Sequence, residues 1–282
     1  MNTAVTPGVG LVVLCTVMIA GAAVVYGVAG LGPVSVAPRA AVRGAAQLAA
    51  VALILAAALT QLWSSLLVLA VMFAAAAATS ARRAEAGGSA LWLTAALGAG
   101  LGVVLPILLL SGVVPFTGVA LVPIGGIILG GTMTATSLAA RRALDALDQR
   151  WGEVEAALGL GFSDRAARLE IIRPTATDAL LPGVDQTRTV GLVTLPGAFV
   201  GVLLATGSAA QAAAVQIMVL TGLLLAQSCA VAVTIELVAR GSVHRAGYPA
   251  RVPRGLALRS GCPTTSGDRG ISRISIGCRR TG

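Results

Sequence analysis

The 282-residue sequence has no lysine, and all 20 of its basic residues are arginine. A Walker-type phosphate loop places a lysine on the nucleotide phosphates, so this chain cannot hydrolyse nucleotide by that device. Histidine occurs once, at His244, and aromatic residues make up only 3%. With that imidazole outside the apolar segments and no acid–base pair within them, an intramembrane Ser-His protease or lipid transferase has no machinery here. The four cysteines, Cys15, Cys229, Cys262 and Cys278, lack the paired spacing of zinc or thioredoxin chemistry. Charge is scarce as well: 11% of residues are charged against 56% hydrophobic, and mean hydropathy is +0.90. These values are far from soluble averages and mark a polytopic membrane protein. No basic residue precedes Arg39, so the first apolar segment is expected to remain as a span and not to leave as a signal peptide.

Seven apolar segments approach the roughly 20 residues that a helix needs to cross a bilayer. They lie near 8 to 30, 44 to 60, 62 to 80, 90 to 111, 118 to 139, 189 to 206 and 213 to 238. The expected fold is therefore all-α, a transmembrane helical bundle of about seven spans, because lipid cannot satisfy open backbone groups. Arg39 and Arg43, Arg82 and Arg83, seven arginines from Arg141 to Arg188, and Arg240 fall in alternate connections. The remaining connections, Thr60-Gln61, Gly112 to Thr117 and Gly207 to Ala212, carry no charge. Positive-inside asymmetry then predicts an N-terminus outside, a C-terminus inside and the 141–188 insert in the cytoplasm. Residues 1–239 read as the membrane domain.

Residues 240–282 carry 9 arginines against the single Asp268. Two accounts fit this Gly-, Pro-, Ser- and Arg-rich stretch: a disordered tail on anionic lipid, or out-of-frame translation beginning near Gly241. The net charge of +9 is concentrated in that tail, which removes the case for a nucleic-acid partner.

Within the spans, Gly126 and Gly130, and Gly197 and Gly201, have a small-xxx-small spacing that suits close helix packing. Thr132 and Thr136 share one face of span five with Met133 and Ser137 beside them, after an expected kink at Pro123. Two readings stay open for that face: hydroxyls bonded back to their own helix, or the lining of a substrate path. Gln47, Gln216 and Gln227 are suited to joining helices by hydrogen bonds, and Glu236 to reaching the interface.

The insert is the one long polar interval. Leu144, Leu147, Trp151, Val154 and Leu158 recur at three and four and mark one helix face, so span five is expected to continue until Gly159 and Gly161 end it. Ser163 with Asp164 predicts a second, short helix stopping before Pro174. Thr175 and Asp178 then suggest a capping box, and Pro182-Gly183 a turn back into the membrane. The pattern Glu155-Ala156-Ala157, Gly161, then Ile171-Ile172-Arg173-Pro174 resembles the EAA loop of bacterial ABC importer permeases, with Arg173 in place of a leucine. A helix end of this kind seats in a cleft of another protein and turns closure of that partner into a push on the spans.

A longer resemblance covers about residues 10 to 240. Arg43-Gly44-Ala45-Ala46-Gln47-Leu48, Glu155 to Gly161, and Val190-Gly191-Leu192-Val193-Thr194-Leu195-Pro196-Gly197 are similar to the FetB family of iron-export permeases, also called the YbbM family. Its bacterial members pair with an ABC ATPase, and its plant relatives act in aluminium tolerance. The sequence departs from the family where Ala198-Phe199 replaces a common methionine, and at Gly130-Gly131-Thr132-Met133, where an asparagine is usual. The resemblance implies a multi-pass permease subunit in a bacterial inner membrane, exporting an iron-like metal ion or a small solute as a homodimer. ATP and Mg would be held by a separate ATPase chain, with no cofactor on this one. It implies Glu155, Ala156, Ala157 and Gly161 as the coupling surface, Arg165 and Arg168 as ion-pairing residues at its rim, and Thr132, Met133, Thr136, Thr194 and Pro196 along the path. The alternative is a secondary transporter or channel that works without ATP.

Overall fold

The computed structural model describes residues 8–58, 61–85 and 89–245, with backbone only for 54–58. The described chain is all-helical, in the order α1 (Val9–Val28), α2 (Val36–Ala58), α3 (Leu62–Arg83), α4 (Ala90–Leu110), α5 (Gly118–Gln149), α6 (Trp151–Gly159), α7 (Asp164–Thr189), α8 (Gly197–Thr206) and α9 (Ala209–Ala239). The one extended pairing among these residues is an isolated bridge between Val190 and Thr194. Among the described residues five helices, α1, α3, α4, α5 and α9, are long and apolar enough to cross a membrane. The basic stretch expected from 240 onward lies, from residue 246, outside the described residues.

The heart of the bundle is α5 and α9. α5 packs on α3, α7 and α9, and α9 packs in addition on α4, α7 and α8. At 32 residues and 1.5 Å per residue, α5 is about 48 Å long, well beyond the roughly 30 Å of a hydrocarbon core. Its second half therefore projects from the apolar slab. There Ala139, Ala143 and Leu147 meet Val154 of α6, Ala167 and Ile172 of α7, and Val231 and Val238 of α9 in one buried cluster. This extramembrane core also takes in Val243, which is 1% exposed. Next to it, Arg245 donates to Asp145 and Asp148, both at 2.7 Å. The packed chain thus continues five residues beyond Arg240.

Three expectations are corrected. α2 begins at Val36, so Arg39 and Arg43 lie on a helix and not in a loop, where long side chains can carry their charge to the interface. α7 runs unbroken from Asp164 to Thr189 through both Pro174 and Pro182. No helix end at Pro174, capping box at Thr175 or turn at Pro182-Gly183 forms. Each proline removes one backbone donor, but packing between α5 and α9 holds the helix through those gaps, and Thr175 Oγ1 donates to the Ile172 carbonyl at 2.6 Å.

The sixth span, expected over 189 to 206, is not a continuous helix. α7 ends at Thr189, and the chain turns through Val190–Pro196 before α8 begins. Gly191 sits at φ +83°, a conformation open to glycine. Its N–H donates to the Thr194 carbonyl at 2.9 Å, and the Val193 N–H donates to that of Thr189 at 2.9 Å. Pro196 restricts Leu195 to extended backbone and then serves as the N-cap of α8. With ten residues, α8 covers about 15 Å, half a hydrocarbon core. It folds back on α9 through Gly207, whose φ of +68° closes the turn.

Candidate functional site

The elbow formed by α6, Gly161 and the start of α7 lies at the projecting end. A break at Arg150 separates α6 from α5, which corrects the expectation of one helix running on from span five to Gly159: the backbone leaves helical geometry at Arg150. The Arg150 guanidinium hydrogen-bonds Glu153 and holds its carboxyl below the usual carboxylate range. After Gly159 the chain reverses at Gly161, φ +93°, with the Phe162 N–H donating to the Ala157 carbonyl at 3.1 Å. Ser163 then caps α7, its Oγ accepting from the Ala166 N–H at 3.3 Å. The helix end at Gly159–Gly161 and the new start at Ser163 stand where the glycine and serine signals predict them.

One face of α6 is fixed. Val154 is fully buried, and Trp151 and Leu158 pack on the same cluster. The other face is open: Glu155, Ala156 and Gly161 are exposed and Ala157 is half-buried. Trp151 Nε1 donates to Glu155 Oε1 at 3.0 Å, which orients that carboxylate. At the tip stand two apolar side chains that the pattern reading passed over, Leu160 at 81% and Phe162 at 50% exposure. They flank Gly161, and their signal was available as apolar residues on either side of a turn glycine in a polar insert.

The two arginines expected at the rim are placed differently. Arg168 is buried, with its guanidinium 5.8 Å from the centre of the Trp151 ring and its Nε 3.2 Å from Asp164 Oδ1. It braces α6 against α7 instead of standing at a rim. Arg165 is half exposed and pairs with both oxygens of Glu236 at 2.7 Å, which ties α7 to α9. The elbow is therefore fastened to the bundle at Val154, Arg165 and Arg168.

The residues expected along a path do not form one site. Thr132 and Thr136 are fully buried, and Thr132 Oγ1 donates back to the Ile128 carbonyl at 2.7 Å. Thr136 Oγ1, by contrast, is buried without a partner, so only Thr132 shows the bond back to its own helix. Met133 instead lines a groove of about 690 Å³ between α2, α3 and α5, which also holds Arg43, Gln47, Met72, Arg82 and Arg83. Thr194 and Pro196 lie in the break before α8. A cavity of about 350 Å³ beside that break is lined by Val190, Pro196, Phe199 and Gln216, and Gln216 Oε1 is buried without a partner. Among the described residues no three His, Cys, Asp or Glu side chains come together as metal ligands.

Sequence comparison follows the same stretch of chain. Residues 9–242 match the family described as "Uncharacterised protein family (UPF0014)". The chain is 36% identical over 168 residues to "UPF0014 membrane protein slr1647" of Synechocystis sp., covering 58% of this chain and 65% of that one. It is 34% identical over 122 residues to "Protein ALUMINUM SENSITIVE 3" of Arabidopsis thaliana, covering 43% and 45%. It is 35% identical over 124 residues to "Probable iron export permease protein FetB" of Escherichia coli K12, covering 44% and 48%. The chain spans about half the length of most of the curated relatives it matches. No solved structure matches.

Proposed function

This chain belongs to the UPF0014 family of membrane proteins, and from that premise we propose that it is the permease subunit of an ABC-type transporter, moving an iron-like metal ion out of the cell. ATP and Mg belong to a separate ATPase chain, two copies of the permease act together in the inner membrane, and the projecting end faces the cytoplasm. The observation that carries the reading is the elbow. A short helix with small residues, an exposed Glu155 and an apolar tip at Leu160 and Phe162 follows the end of α5 that carries its charged residues, yet is fastened to three helices. Such a part suits a seat in a partner's cleft, from which closure of the partner drives the spans. The name of the Escherichia coli relative supports iron as cargo and export as direction.

The reading is tested by affinity purification from native membranes. The wild-type chain should bring down a nucleotide-binding ATPase in near-equal amount. Gly161→Val, which forces a β-branched residue to φ +93°, should lose at least about nine-tenths of it while the chain stays monodisperse. An unchanged yield from that variant, or no ATPase with the wild type, would count against the proposal.

A further inference from the structure

The exposed face of α7 carries Arg173, Thr177, Leu181, Asp185 and Arg188, at spacings of four, four, four and three. Those spacings place them on one stripe, polar at four of its five positions. The stripe runs into the membrane. The apolar slab around α5 starts at Gly118 and, at roughly 20 residues per crossing, has its middle near Ile128. A Cβ at Gly183 would overlap Gln227, and one at Gly131 would lie 3.1 Å from Gln227 Nε2, so Gly183 and Gly131 share a level. Asp185 and Arg188 follow two and five residues later, about 3 and 7.5 Å further along the axis, which puts Asp185 just short of the middle and Arg188 just beyond it. Val190 and Pro196 share a cavity with Leu220, two residues from Gly222, where a Cβ would lie 3.7 Å from Ile128. The break in the sixth span is thus at mid-bilayer.

Two independent features of this region are incompatible with lipid. Asp185 and Arg188 are 62% and 73% exposed and only 3.8 Å apart at their nearest atoms, a loose pair. Ionised groups at bilayer depth face protein or water and not hydrocarbon. The turn after Thr189 is non-helical, with Leu192 90% exposed, and irregular backbone at this depth is tolerated only when covered by protein or lining water.

We infer that this face of α7 and the following turn meets the same face of a second copy of the chain, and that the two stripes enclose a polar passage from the cytoplasmic end to mid-bilayer. The inference deepens the permease reading and rests on it for the existence of a passage. The sign pattern selects the occupant. In a two-fold contact the same patch meets itself, and a patch bearing one carboxylate and one guanidinium a turn apart is self-complementary: Asp185 of each copy reaches Arg188 of the other.

The test uses full-length chains carrying two different tags, expressed without any ATPase. Asp185→Arg alone makes the patch wholly positive and Arg188→Asp alone wholly negative, so each should self-associate at no more than about a tenth of the wild-type level. Co-expressed, the positive and negative chains should recover association to within about twofold of wild type, which pairing inside one chain cannot produce. Wild-type association of either variant alone, or no gain on mixing, overturns the inference. Should the variants fail to fold, Leu192→Cys in a chain with its four native cysteines replaced by serine decides the matter. It should give an oxidised dimer in membranes, and monomer alone would overturn the contact. Because no ATPase is present, rescue on mixing combined with failure of the wild type to bind an ATPase would remove the ABC reading and leave the interface standing.

Discussion

Replacing Leu160 and Phe162 together with aspartate should strip the ATPase from the complex, weakening its binding by about 100-fold or more. Both side chains stand at the elbow tip, 81% and 50% exposed, so the substitution costs the isolated chain little. Burying a large apolar side chain stabilises by about 1.5–3 kcal/mol. Two of them give roughly 3–6 kcal/mol, and each 1.4 kcal/mol is a factor of ten in affinity. The added carboxylates would then be desolvated in the cleft, which raises the loss further. A useful comparison is Glu153→Gln, whose carboxylate is engaged by Arg150 on the same surface and should leave binding within about threefold. Titration of the ATPase onto nanodisc-embedded permease, followed by surface plasmon resonance, checks both.

The second large effect concerns the frame on which the elbow pushes. A Cβ at Gly100 would lie 2.6 Å from the backbone carbonyl oxygen of Ala226 and 3.1 Å from Thr132 Cγ2. A backbone oxygen cannot rotate aside, so α4 must move away from α9. Overpacking of this kind costs about 1–3 kcal/mol for small additions, and Gly100→Leu, which adds a whole branched side chain, should leave no monodisperse protein after extraction. Gly102, with nothing within 4 Å of a built Cβ, is the control. Gly102→Ala should hold or raise the melting temperature, since alanine in a helix interior is favoured over glycine by about 0.5–1 kcal/mol. Fluorescence-detected size exclusion after a heating series separates the two.

How much of this could be read beforehand differs by element. The C-terminal end of α6 was legible because apolar periodicity stopped at two glycines, and both signals act locally; its start at the Arg150 break was not. The small-xxx-small reading meets a close neighbour at one of its four glycines: a Cβ at Gly126 would lie 2.9 Å from Met72 Cε, whereas Gly130, Gly197 and Gly201 have nothing within 4 Å. Gly100, where a Cβ would meet the Ala226 carbonyl oxygen of α9, does stand in a small-xxx-small spacing with Ala96, but it was not singled out because the constraint comes from another helix. α7 was misread since Pro174 and Pro182 are strong local breakers, and only packing on α5 and α9 overrides them. The sixth span was misread for the opposite reason. Its side chains are apolar apart from Thr189, Thr194 and Thr206, and a hydropathy window does not register that Gly191 and Pro196 interrupt the backbone. Arg168 looked like a surface charge on an extramembrane helix, but the Trp151 ring above it and Asp164 beside it draw it inside.

The elbow matters because of what it is joined to. Val154, Arg165 and Arg168 lock it to the extramembrane core, and that core is continuous with α5 and α9, the helices that flank α7 down to its break. On the proposed reading, motion imposed at Glu155 to Phe162 would reach Asp185 and Arg188 through these packed helices. The account's central claim, that transport through this chain is driven by ATP hydrolysed on another, is tested most directly by iron flux in sealed vesicles. Vesicles holding the purified chain with its ATPase should move ferrous iron with ATP and stop with a non-hydrolysable analogue, and vesicles holding the chain alone should not move it. Full flux from the purified chain alone, with no ATP present, would contradict the account.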